Sequence, residues 1–240
     1  MTVALACLPF AGSGVGIYRR RQRQHPSPNL DLVPIQFPGR EERFGERHPA
    51  RVQDLAVEAA DDVIRRTASS SAFALLGHSF GATVAYEVAQ RLQHRGARRP
   101  EVLVVSGAAS PWLPRRLSVR GLSDEEIIEH LQELTGSDPA ALRDSELRAV
   151  LMPALRGDLE LHARYQPSVR EPLSTPIAAL RGREDRLVSR ADAIAWAALT
   201  SARFTYEELP GGHLHIVDDP DCYWTAIEHI VGAVHRGSAP

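Results

Sequence analysis

The sequence contains no lysine: all 28 of its basic side chains other than histidine are arginines. That excludes a lysine Schiff base and the lysine of a phosphate-binding P-loop. Cysteine is nearly as scarce, and Cys7 and Cys222 lie far apart with no metal-ligand spacing. Such a pair reads as two free thiols in a reducing compartment, not as a disulfide framework. Neither sign of charge dominates: the formal net charge is -2, which gives no general attraction to nucleic acid or an anionic membrane. No apolar run approaches the roughly 20 residues of a membrane span. The opening "MTVALACLPFAG" lacks a basic leading region, and its short apolar run enters a Gly-rich loop, as a buried first strand does and a signal peptide does not. The expectation is a cytoplasmic protein with no nucleic-acid or membrane partner. Internal repeats are absent, low complexity is confined to the arginine-rich "YRRRQRQ" and the tail "RGSAP", and the stretches "RRRQRQ" and "PRRLSVR" read as solvated faces.

What is present is enough apolar material for one large core. The chain has 240 residues, 43% of them hydrophobic, which suits a single substantial domain. Short β-type runs at 3–8, 31–37, 72–77, 101–107, 176–182 and 203–209 alternate with patterns of three-and-four apolar spacing at 51–67, 81–96, 190–199 and 221–236. Several strands are apolar on successive residues, as strands covered on both faces must be. The alternation predicts an α/β fold with a mainly parallel sheet and helices on both sides. From about Ser110 to Gln166 no strand intervenes. Two or more helices are expected there, the first opened by Ser123 and Glu126 as a capping box and closed by Gly136. A helical insertion at the carboxyl edge of a parallel sheet sits where ligands bind, so this segment reads as a lid.

The chemistry centres on "LLGHSFGAT" at 75–83. A G-x-S-x-G pattern between a strand and a helix holds its serine, Ser79, on a sharp turn at the sheet edge, and the helix from Phe80 directs its amides there. A serine hydroxyl needs a base, and the base an orienting acid, in the chain order serine, acid, histidine. After the strand "PIAALRG" comes "REDR", where Asp185 is the best-placed acid and Glu184 its alternative. After "RFTYEEL" comes "PGGHLHIVDD", whose glycines present His213 as the base. His215 reads as structural, and His78 as a residue that lines the site or bonds backbone. An oxyanion requires two donors: the amide of Phe80 and, from the Gly-rich loop "LPFAGSG", the amide of Ala11. This chemistry calls for no cofactor and no metal, although "HLHIVDD" offers His213, His215, Asp218 and Asp219 at ligand-like spacing to a rival metallohydrolase reading.

These residues together resemble the stand-alone type II thioesterases of polyketide and nonribosomal peptide synthesis, within the α/β-hydrolases. The likeness runs in order through "LACLPFAGSG", "IQFPGREERFGE", "LLGHSFGATVAYEVA", "LMPALRGDLELHARY", "ALRGREDRLVS" and "LPGGHLHIV". It implies one α/β-hydrolase domain over 1–240 with a lid insertion at about 110–166, a triad of Ser79, Asp185 and His213, and an oxyanion hole of Ala11 and Phe80. The implied reaction is hydrolysis of acyl thioesters on the phosphopantetheine arm of an acyl or peptidyl carrier protein, the expected partner. Arg115, Arg116 and Arg120 are candidates to meet an acidic carrier. Two departures concern the pocket: "FAGSG" replaces the family's Gly-Gly pair followed by Ser, and "GHLHI" lacks the two aromatics that usually follow the histidine. The rivals are a small-molecule esterase of the same fold and a non-catalytic binding module.

Overall fold

In the computed structural model, which describes residues 2–115, 117–136 and 140–237, the apolar runs form six strands. These are β1 (Val3–Leu8), β2 (Leu30–Pro34), β3 (Phe73–His78), β4 (Leu103–Ser106), β5 (Ile177–Gly182) and β6 (Phe204–Leu209). They make one sheet in the order β2-β1-β3-β4-β5-β6, with every neighbouring pair parallel. Among the described residues the α-helices are α1 (Gly16–Gln24), α2 (Val52–Arg66), α3 (Phe80–His94), α4 (Asp124–Thr135), α5 (Ser145–Arg164), α6 (Arg190–Ile194), α7 (His215–Asp218) and α8 (Pro220–Gly237).

The apolar strands acquire their burial two-sidedly. Along β1, Ala4, Ala6 and Leu8 face one core with α2 and α3, while Val3, Leu5 and Cys7 face another with α1 and α8. This is the period-2 alternation of a strand with no solvent face. Because all strands are parallel, the loops after β1, β3, β5 and β6 leave at the same edge. The strand order reverses between β1 and β3, and ligands of open α/β sheets bind at such a crevice.

The structure adds a helix at one stretch and divides the helix expected at another. The arginine-rich stretch at 19–24 is solvated as expected, with only Arg21 half-buried, and lies in α1, which buries Tyr18, donates its hydroxyl to the Leu8 carbonyl at 3.1 Å and lays Arg21 over the Trp224 ring. No local cap signals this helix. Its first amides, from Val15 and Gly16, are accepted by the Glu41 carboxylate at 3.0 and 3.2 Å. The pattern at 190–199, expected as one helix, is not one: α6 stops at Ile194 and a 3-10 turn (Ala195–Leu199) follows, with the Trp196 ring nitrogen donating to the Ala108 carbonyl at 2.8 Å.

Between β4 and β5 the expected helices form as α4 and α5. Ser123 and Glu126 exchange hydrogen bonds at the start of α4, and Gly136 ends it at φ 71°. Asp144 caps α5 by accepting from the amides of Glu146 and Leu147, both at 2.9 Å. These helices share a small apolar cluster of Val119, Ile127, Leu142, Met152, Leu155 and Leu159, distinct from the two cores of the sheet.

Candidate active site

Ser79 joins β3 to α3 with φ 51° and ψ -117°. For a residue with a side chain this backbone is strained by about 1–3 kcal/mol, and its surroundings hold it there. The Ser79 amide donates to the Ser106 carbonyl at 2.8 Å. A Cβ on Gly77 would lie 2.3 Å from the Gly81 carbonyl oxygen, and one on Gly81 would lie 2.3 Å from that of Leu8. Both flanking glycines are therefore there for backbone contact, and the serine hydroxyl is left facing a cavity.

The loops after β5 and β6 meet that hydroxyl. His213 Nε2 lies 3.0 Å from Ser79 Oγ, and Nδ1 lies 2.9 Å from Asp185 Oδ2. The other oxygen of Asp185 accepts from the amides of Leu187 and Val188, both at 2.9 Å. Burial pushes the Asp185 carboxyl up, but the His213 bond and charge and these two amides outweigh it and hold it below its ordinary value. Glu184 is exposed, so the neighbouring carboxylates are sharply distinguished. The amides of Ala11 and Phe80 have no protein acceptor among the described residues, and Ala11 lines the cavity beside Ser79.

His78 and His215 pack against this line without joining it. The two rings are 5.2 Å apart, and His78 is 5.4 Å from His213. His215 Nδ1 lies 3.0 Å from the Gly212 carbonyl. A carbonyl only accepts, so Nδ1 carries the proton and Nε2 accepts from Ser106 Oγ at 2.9 Å. Ser106, having donated its proton, accepts from His78 Nδ1 at 3.1 Å. One carbonyl thus sets the tautomers of two histidines. Burial, then the neighbouring His215 and His213, hold His78 well below its ordinary value, and burial also lowers His215. The expected structural role of His215 fits these bonds; His78, expected to line the site or bond backbone, bonds the Ser106 side chain and also meets the His213 backbone. His213 and His215 thus serve different partners, and no group of three or more His, Cys, Asp or Glu among the described residues converges at metal-binding distance.

The cavity over Ser79 has a volume of about 720 Å³ and walls of Phe10, Leu131, Leu142, Leu151, Leu155 and Val217, among others. Helices α4 and α5 supply much of this apolar lining, which suits a hydrocarbon chain. Polar groups enter it sparingly. Arg115 lines the cavity and donates to His162 Nε2 at 3.1 Å and to the Ser110 carbonyl at 2.6 Å. Its role as an outward carrier contact is thereby corrected. Arg120 is exposed, and Arg116 lies outside the described residues. Burial, then Arg115 and His213, push His162 down to about 3.

Sequence reasoning missed His162 and a buried carboxylate, Asp158. Both stand on α5, in a segment quoted for its family likeness, where their i,i+4 spacing carries no chemical signature by itself. Asp158 pairs with Arg40, 118 positions away in the chain, at 2.5 and 2.9 Å.

A model described as "Thioesterase domain" matches residues 3–235. Thioesterase PikA5 of Streptomyces venezuelae is 33% identical over 220 residues, covering 90% of this chain and 76% of PikA5. The solved structure of RedJ, a thioesterase from the prodiginine biosynthetic pathway in Streptomyces coelicolor, superposes with a TM-score of 0.85 at 33% identity, covering 96% of this chain and 89% of RedJ. The type II thioesterase BorB, from the borrelidin biosynthetic cluster, does so with a TM-score of 0.84 at 32% identity, covering 98% and 93%.

Proposed function

The chain belongs to the thioesterase domain family, hydrolases of thioester bonds on an α/β-hydrolase fold, and from that premise we propose that it releases acyl groups from the phosphopantetheine arm of a carrier protein in polyketide or nonribosomal peptide synthesis. The observation that carries the reading is the hydrogen-bonded line of Ser79, His213 and Asp185 at the floor of an apolar cavity roofed by α4 and α5. The similar type II thioesterase from the borrelidin biosynthetic cluster supports the carrier-bound substrate.

In this proposal Ser79 Oγ attacks the thioester carbonyl while His213 Nε2 takes the hydroxyl proton. The carbonyl oxygen becomes an oxyanion held by the amides of Ala11 and Phe80. Its collapse breaks the carbon-sulfur bond, the imidazolium protonates the departing thiolate, and the acyl group remains on Ser79. Water then attacks the ester with His213 again taking the proton, and release of the acid restores the serine. Asp185 holds the imidazole with Nδ1 protonated and steadies the imidazolium formed in each half-reaction. The segment from about 110 to 166 acts as a lid, under which a long flexible arm passes while the carrier body stays outside.

Intact-mass measurement on an acylated carrier tests this. The wild-type enzyme strips the acyl mass from the carrier, and Ser79→Ala lowers the rate by about 10³-fold or more. A carrier left acylated by an enzyme that cleaves simple esters would replace this account with a general esterase.

A further inference from the structure

We infer that Asp158 is a positioning residue for the oxyanion hole, tying helix α5 to the loop that carries the Ala11 amide. The inference rests on the reading of Ala11 as an oxyanion donor. Asp158 is fully buried, and its Oδ2 accepts from the Gly12 amide at 2.9 Å, one residue past Ala11. The same carboxylate receives both arms of the Arg40 guanidinium, and Arg40 also donates to the Ser13 carbonyl at 3.3 Å and, through Nε, to the Pro38 carbonyl at 3.2 Å. His48 Nε2 stands 3.2 Å from the remaining oxygen. The loop after β1 is therefore held at Gly12 and Ser13, the two residues that follow Ala11, by one ion pair.

Packing supports the same connection independently. A Cβ on Gly12 would lie 2.9 Å from Leu155 Cβ and 3.2 Å from Leu155 Cα, so this loop rests directly against the α5 backbone. Gly12 itself has φ 72°, a left-handed backbone that glycine adopts without strain. A donor amide works only if it is aimed at the oxyanion before the reaction begins. A hydrogen bond donated by the adjacent amide to a carboxylate that is itself clamped supplies that aim. The placement also sets how the cover over the cavity and the reaction beneath it communicate: displacement of α5 near Asp158 releases the loop, so the hole is complete only when this part of the helix is seated.

The test uses the full chain with Arg40→Met and Asp158→Leu combined, so that no buried charge is left unpaired. Steady-state hydrolysis of an acyl-pantetheine thioester and binding of two probes are measured: a trifluoromethyl ketone, which forms an oxyanion on Ser79, and the acyl alcohol, which does not. Expected are a fall in kcat of about 10- to 100-fold with KM within about threefold, and a parallel loss of ketone affinity with alcohol affinity retained. A folded double variant with an unchanged ketone-to-alcohol ratio overturns the inference. If the double variant does not fold, Asp158→Asn is read by the same ratio: a loss of about 3- to 10-fold is expected, and no change overturns it. Ser79→Ala keeps the two readings apart. If it is inactive while the ratio is unchanged, only the role of Asp158 fails; if it remains active, the serine mechanism itself fails.

Discussion

At the scale of single residues, the site separates neighbours of identical chemistry by what their side chains can reach. Asp185 touches His213 and two amides, whereas Glu184 faces solvent. Asp185→Asn is therefore expected to lower kcat by about 10²- to 10⁴-fold, because the amide no longer selects the reactive tautomer. Glu184→Gln is expected to stay within about twofold. Steady-state rates of the two variants decide it, and equal losses would leave the acid unassigned. The residues legible in the sequence were those attached to a strand end, since the order serine, acid, histidine follows from the topology. Asp158 and His162 were not legible, because a helix interior offers no positional signal and their partners Arg40 and Thr83 lie far off in the chain. Ser106 was equally silent: it reads as the end of an apolar strand until the fold brings two histidines to its hydroxyl.

At the scale of elements, the strands were legible because two-sided burial writes itself as continuous apolar runs. Helix α4 was legible from its caps. Helix α1 was hidden because its N-terminal carboxylate comes from Glu41, after an intervening strand, so no local pattern marks where it begins. The helices over the cavity differ in their attachment. Only Ile127 of α4 is buried, whereas α5 buries Met152, Ala154, Leu155, Asp158, Leu159 and Leu161. Pro153 lies at the start of this buried half and deprives the Ala149 carbonyl of its helical donor. Stability follows buried contacts, so amide exchange in α4 is expected to be much faster than in β3 and to slow when an acyl ligand fills the cavity. Equal protection of α4 and β3, unaltered by ligand, would contradict the lid.

For the molecule as a whole, the unusual feature is how many neutral histidines are enclosed in it. His162, pushed down to about 3, His78, well below its ordinary value, and His215, lowered more modestly, all lie near the site. Their folded values lie below the unfolded value of about 6.5, so from that pH downward the unfolded chain binds protons that the folded chain refuses. Stability is then present above about pH 6.5 and declines as the pH falls toward the folded values, with up to about one proton taken up on unfolding per histidine. The lowered carboxyls of Asp158 and Asp185 add to the loss only below their ordinary value of 3.8. Denaturant melts between pH 7 and 4 are expected to show falling stability, and His162→Gln to flatten the slope. A pH-independent stability over this range would rule out the enclosed neutral histidines. The cavity they adjoin has a thermal consequence. At the roughly 30 Å³ of a water molecule in the liquid, 720 Å³ corresponds to about two dozen waters, and an acyl chain that enters displaces them from apolar walls. Each added methylene is then expected to make the heat capacity of binding more negative, by about 15 cal/mol/K from the ligand surface alone. Calorimetry of acyl alcohols of increasing length on Ser79→Ala measures this directly. The chain length at which the increments cease reports how far the apolar cavity extends from the serine, and a series with no increments places the chain outside it.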